Sequence, residues 1–67
     1  MGANQHVRKV HGQWAVIGQG NEKATSLHRT QKEAIERARE IAIRHKAELV
    51  IHRATGRIRH RDSYRDE

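Results

Sequence analysis

Apolar and polar positions change their period twice along this chain. His6-Val7-Arg8-Lys9-Val10 and Trp14-Ala15-Val16-Ile17 are β-branched or aromatic stretches on either side of His11-Gly12-Gln13, and they predict a β-hairpin around a glycine turn. The polar run from Gly18 to Lys23 predicts a loop, with 24–29 as a candidate third strand. From Thr30 the period becomes helical. Thr30-Gln31-Lys32-Glu33 has the form of a capping box, in which the Thr30 hydroxyl and the Glu33 carboxylate each satisfy a free backbone N–H. A helix should begin at Gln31. At about 100° per residue, Ala34, Ile35, Ala38, Ile41, Ala42 and His45 fall on one face, with Ile43 outside the stripe and Glu33, Glu36, Arg37, Glu40 and Arg44 facing away.

Alternation returns after Ala47. Glu48 to His52 and Arg57 to Arg61, joined through Ala54-Thr55-Gly56, predict a second hairpin. A two-residue Thr55-Gly56 turn sets Ile51 opposite His60 and Arg53 opposite Ile58, so Leu49, Ile51, Ile58 and His60 should share the face that meets the helix. Arg57, Arg59 and Arg61 should then project from the other face at intervals of about 6.8 Å, beside Val50 and His52. The order is β-β-(β)-α-β-β. It predicts an α+β fold: a small antiparallel sheet with one helix on one face, forming a single domain over residues 6–64, with 1–5 and 65–67 as frayed termini.

Composition narrows the chemistry. With 67 residues, 34% hydrophobic content, one Trp, one Tyr and no Phe, the core must be thin and the room for a catalytic pocket small. No enzyme is expected. The absence of cysteine excludes a disulfide framework, thiolate metal ligation and thiol catalysis, and fits a reducing compartment. The longest apolar runs, 14–17 and 49–51, fall far short of the roughly 20 residues of a membrane span, so a soluble cytoplasmic protein is expected, with no membrane partner.

Fourteen Lys and Arg against eight Asp and Glu leave a net charge of +6, but no single block supplies it. Residues 1–29 contribute +3, 30–47 contribute +2 and 48–67 contribute +1. A disordered basic tail is excluded. In the helix, Glu33–Arg37 and Glu40–Arg44 stand at i,i+4 with the acid first, so its arginines already have carboxylate neighbours. The basic signal therefore concentrates on the last strand.

Gly12-x-Trp14-Ala15-Val16, Ala24-Thr25-Ser26, Thr30-Gln31-x-Glu33-Ala34, Ala47-Glu48-Leu49-Val50-Ile51-His52 and Gly56-Arg57-Ile58-Arg59-x-Arg61-Asp62-Ser63-Tyr64 stand in that order along the chain. Together they resemble a widespread family of very small bacterial proteins catalogued as a domain of unknown function. The resemblance runs from about residue 6 to 64. It implies a bacterial stand-alone domain and brings no activity, ligand or catalytic residue with it.

Two functional readings follow from the residues. In the first, Arg57, Arg59 and Arg61, extended by Arg8 and Lys9 of the first hairpin, contact the phosphates of DNA or RNA, with affinity that is mainly electrostatic. Against it, alternating arginines also keep an exposed strand soluble and discourage edge pairing. In the second, the chain is a protein-interaction or self-assembly module, meeting itself or another protein through Val50, Ile43 and Tyr64. Trp14, the only tryptophan, is expected to anchor the core rather than stack on a base, and Tyr64 either to bind a partner or to close the core edge. Six histidines offer no His-x-x-x-His pair and no cysteine partner, so neither metal nor cofactor is expected; His45 and His60 should be buried. Gly18-Gln19-Gly20-Asn21 lacks the third glycine and the Lys-Ser/Thr of a phosphate loop and reads as a plain connection.

Overall fold

The fold is taken from a computed structural model describing residues 3–65. Five strands and one helix follow one another as β1 (Gln5–Val10), β2 (Gln13–Gly18), β3 (Ser26–His28), α1 (Gln31–Arg44), β4 (Glu48–His52) and β5 (Ile58–Ser63), the α+β order expected. In β1–β2 the turn residues His11 and Gly12 both have positive φ, 50° and 81°, the backbone twist that a two-residue hairpin requires. Residues 24–29 yield only the three-residue edge strand β3, paired antiparallel with β2.

The sheet order is β3-β2-β1-β4-β5. Both hairpins are antiparallel as expected, but they join through a parallel pair, β1 with β4, so the sheet is mixed rather than wholly antiparallel. The helix explains this. Fourteen helical residues carry the chain back by about 21 Å along the sheet, so β4 starts from the same end as β3 and runs in the same direction.

Thr30 caps the helix with its Oγ1 accepting from Glu33 N–H at 3.2 Å. At the other end Lys46 takes a left-handed conformation (φ 51°), and the N–H groups of Lys46 and Ala47 return to the carbonyls of Ile43 and Ala42, closing the helix in a Schellman motif. His45 thus becomes the exposed C-cap instead of a core residue. The buried stripe is Ala34, Ala38 and Ala42, packed on Val7, Val16, Leu49 and Ile51, with Trp14, Ile35, Ile41 and Tyr64 half-buried at its margins. Ile43, outside the stripe, stays 47% exposed.

The helix packs over β1 to β4 and leaves β5 uncovered. His60, placed opposite Ile51 as expected, is therefore exposed rather than buried, and its Nε2 pairs with Asp62 Oδ1 at 3.0 Å. The N-terminal segment is better tied than frayed ends would be. Asn4 accepts from Glu48 N–H through its side chain (2.9 Å), and Gln5 is already buried in β1. The expectation for residues 1–2 and 66–67 lies outside the described residues.

Candidate nucleic-acid interface

The register of the last hairpin shifts between Ile51 and His52: Ile51 pairs with His60, but His52 pairs with Ile58, so Arg59 is the extra residue of a bulge. Arg53 consequently faces Arg57, not Ile58, and its N–H donates to the Arg57 carbonyl at 2.7 Å. Gly56, at φ 100°, closes the turn by donating to the Arg53 carbonyl at 2.8 Å. A bulge reverses the alternation beyond it. The single row of Arg57, Arg59 and Arg61 is therefore broken.

Gln31, the first helical residue, fixes what replaces the row. Its Nε2 donates to the His52 carbonyl at 2.9 Å, and its Oε1 accepts from Arg59 Nη1 at 2.7 Å. The Arg59 guanidinium is held at the helix start. There an open groove of about 1240 Å³ lies at the end of the sheet, lined by Trp14, Gln31, Arg53, Arg57, Ile58 and Arg59 together with the turn. Lys9, directly across the β1–β2 ladder from Trp14, places its ammonium 5.7 Å from the indole centroid. Among the described residues no carboxylate lines this groove, and no salt bridge engages Lys9, Arg53, Arg57 or Arg59.

The five arginines and lysines singled out from the sequence thus fall into two groups. Lys9, Arg57 and Arg59 gather at the groove, whereas Arg8 and Arg61 lie on the uncovered face of the sheet, with His6, His52, Ala15 and Val50. Arg8 and Lys9 are neighbours on one strand and necessarily point to opposite faces. On the uncovered face His6 and His52 stack, their ring centroids 5.3 Å apart, with His6 Nδ1 and His52 Nε2 at 3.0 Å. Because His52 Nδ1 meets the Gly56 carbonyl at 3.2 Å, and a carbonyl only accepts, His52 carries its proton on Nδ1 and accepts at Nε2 from His6 Nδ1–H. Burial holds the His6 imidazole below its ordinary 6.5. The charges of Arg8 and Arg61 push the same way, as does the neighbouring His52, and a side-chain hydrogen bond with Gln19 opposes them.

Arg53 and Gln31 escaped the sequence reading because neither stands in an alternating pattern. Gln31 reads only as part of a capping box, and its bridging role depends on β4 ending beside the helix start. Trp14 packs against the core as expected and also forms a wall of the groove. The three residues of the interaction reading do not share a surface: Val50 is buried in the sheet, Tyr64 packs at the core edge and Ile43 projects from the helix. No described helix is long and apolar enough to cross a membrane.

Comparison with known proteins places this geometry in a bacterial setting. The family described as "Uncharacterized protein conserved in bacteria (DUF2188)" matches residues 5–64. The chain is similar to "Uncharacterized protein YdaT" of Bacillus subtilis (strain 168), 40% identical over 58 residues, which is 87% of this chain and 39% of that protein. It therefore spans about two fifths of the length of that relative. No solved structure matches it.

Proposed function

We propose that this chain, which belongs to the bacterial DUF2188 family of uncharacterised proteins, is a nucleic-acid-binding accessory domain that takes the phosphate backbone into the arginine-lined groove at the helix start. One observation carries the reading: the open groove at the helix start gathers Arg53, Arg57 and Arg59 beside Trp14 and Lys9, with no carboxylate among the described residues of its lining. A cationic groove next to an indole suits single strands, whose phosphates are tracked by basic groups while an aromatic meets a base. Arg59 is already oriented by Gln31, so less side-chain freedom is lost when it takes a phosphate. Four cations on phosphates of a single strand correspond to a log–log salt slope of about −3. Sequence preference is weak, since phosphate contacts position without specifying.

The experiment is a backbone amide titration with a mixed-sequence single-stranded oligonucleotide at several salt concentrations, repeated on an Arg53→Ala/Arg57→Ala/Arg59→Ala variant. Shifts at Trp14, Gln31 and residues 53–59 that vanish in the variant and weaken steeply with salt support the reading. Absence of binding at low salt, or binding that salt and the variant leave unchanged, overturns it.

A further inference from the structure

The uncovered sheet face holds a second basic site that the groove does not use. At the end of β2 the chain turns through Gly18-Gln19-Gly20-Asn21, and between this loop and β1 lies a small cleft of about 220 Å³. His6 and Arg8, two residues apart on β1 and on the same face, form one wall, and Gln19 and Asn21 the other. Asn4 Nδ2 donates to Gln19 Oε1 at 3.1 Å, which fixes this amide beside His6, with which the Gln19 side chain also hydrogen-bonds. The Asn21 amide sits directly over Gly18, where a Cβ would come within 2.8 Å of its Nδ2. Arg61 approaches from β5, across Val50 from His6, near enough for its charge to act on the imidazole. Among the described residues no carboxylate lines this cleft, and Arg8 and Arg61 enter no salt bridge.

The cleft is smaller than the roughly 300–1000 Å³ of sites for drug-sized molecules, which fits one compact anion rather than a polymer. Its donors are a planar guanidinium, an imidazole and two amides, a set that matches the several acceptor oxygens of a tetrahedral oxyanion better than the two of a carboxylate. We propose that His6, Arg8, Gln19 and Asn21, with the charge of Arg61 behind them, form a binding site for a single phosphate-class oxyanion, either the free ion or the terminal phosphate of a small phosphorylated molecule. The proposal is independent of the groove, which lies at the helix start.

Binding is coupled to the His6 proton. The titratable and charged groups around the imidazole are Arg8 from β1, His52 from β4 and Arg61 from β5; β2 offers Ile17, and the loop the neutral Gln19. Each of those charges disfavours a proton on His6, and an anion bound among them reverses that balance. A proton added at His6 Nε2 leaves the Nδ1–H donation to His52 intact.

The test uses the full chain with sulfate, which stays dianionic from about pH 8 to about pH 5.5, followed in amide and imidazole spectra. Expected are saturable shifts at His6, Arg8, Gln19 and Asn21, tighter binding as pH falls through the histidine range, and a loss of about tenfold in Arg8→Gln, which removes a charge-assisted hydrogen bond from an exposed position. His6→Gln should keep weak binding and abolish its pH dependence. Gly18→Ala, which pushes Asn21 aside, should weaken sulfate binding while leaving oligonucleotide binding at the groove intact. Inorganic phosphate and a nucleoside 5′-monophosphate, with the nucleoside as control, then separate the sources: equal affinities assign the free ion, and a tighter monophosphate assigns a phosphorylated molecule. Shifts absent from the cleft, or sulfate binding unchanged in Arg8→Gln, overturn the proposal. Retained sulfate binding in the Arg53→Ala/Arg57→Ala/Arg59→Ala variant keeps its fate separate from that of the groove.

Discussion

The two faces of one sheet are closed by different means. On the helix side Val7, Val16, Leu49 and Ile51 are sealed by three alanines spaced four apart, whose small side chains let the helix lie close to the strands. No described element covers the other side, yet Ala15 and Val50 there are only 1% and 2% exposed. In register, Val50 is flanked by His6 and Arg61, and Ala15 by Arg8 and Leu27. Long amphipathic side chains lie over small apolar ones and keep their polar ends in water. A chain with one helix thus buries the second face of its sheet with the same basic side chains that line the proposed anion site, whereas its first face is closed by shape alone.

Substitutions in each face sharpen that contrast. The largest effect is expected on the helix side: Leu49→Ala removes a fully buried side chain under a rigid helix and should cost about 2–5 kcal/mol, enough to unfold much of a domain this small. Val50→Ala, one residue along and equally inaccessible, should cost about 1–2 kcal/mol, because flexible side chains can collapse onto the gap. Urea denaturation of the two variants checks the difference; equal losses would mean that the uncovered face is packed as tightly as the core. A smaller effect, of opposite sign, is expected at the helix end. Lys46→Gly relieves a left-handed backbone and should raise stability by about 0.5–1 kcal/mol, seen as a higher urea midpoint at unchanged slope.

The smallest effect should belong to pH, and it should come from the uncovered face. The fully buried residues of the helix-side core are aliphatic, whereas His6 has its pKa depressed in the folded chain by burial and by neighbouring positive charge. As pH falls through the ordinary histidine value of 6.5, the unfolded chain takes up this proton first, so stability declines there and levels off once folded His6 is also protonated. Thermal melts across this range should show the decline in the wild type and a shallower one in His6→Gln. An identical profile in both would place the linkage elsewhere.

Much of the domain is legible without its fold. The hairpin around Gly12, the helix start at Thr30, the alanine stripe and the pairing of Ile51 with His60 all follow from interactions between residues close in sequence, where spacing alone decides geometry. Other features depend on where separate elements meet. The parallel pairing of β1 with β4 arises from the return path of the helix, and because that path stops short of β5, His60 stays in water. The bulge at Arg59 changes what the arginine pattern means: one inserted residue sends Arg59 to Gln31 and leaves Arg61 with Arg8 on the uncovered face, so one expected cationic row becomes two clusters. The sequence by itself determined the elements, their order and the amount of positive charge, since these rest on local periodicity and composition. Only the tertiary structure decided which cations share a surface, because a face is defined by register and by what covers it, and both are set between strands that are far apart in the chain.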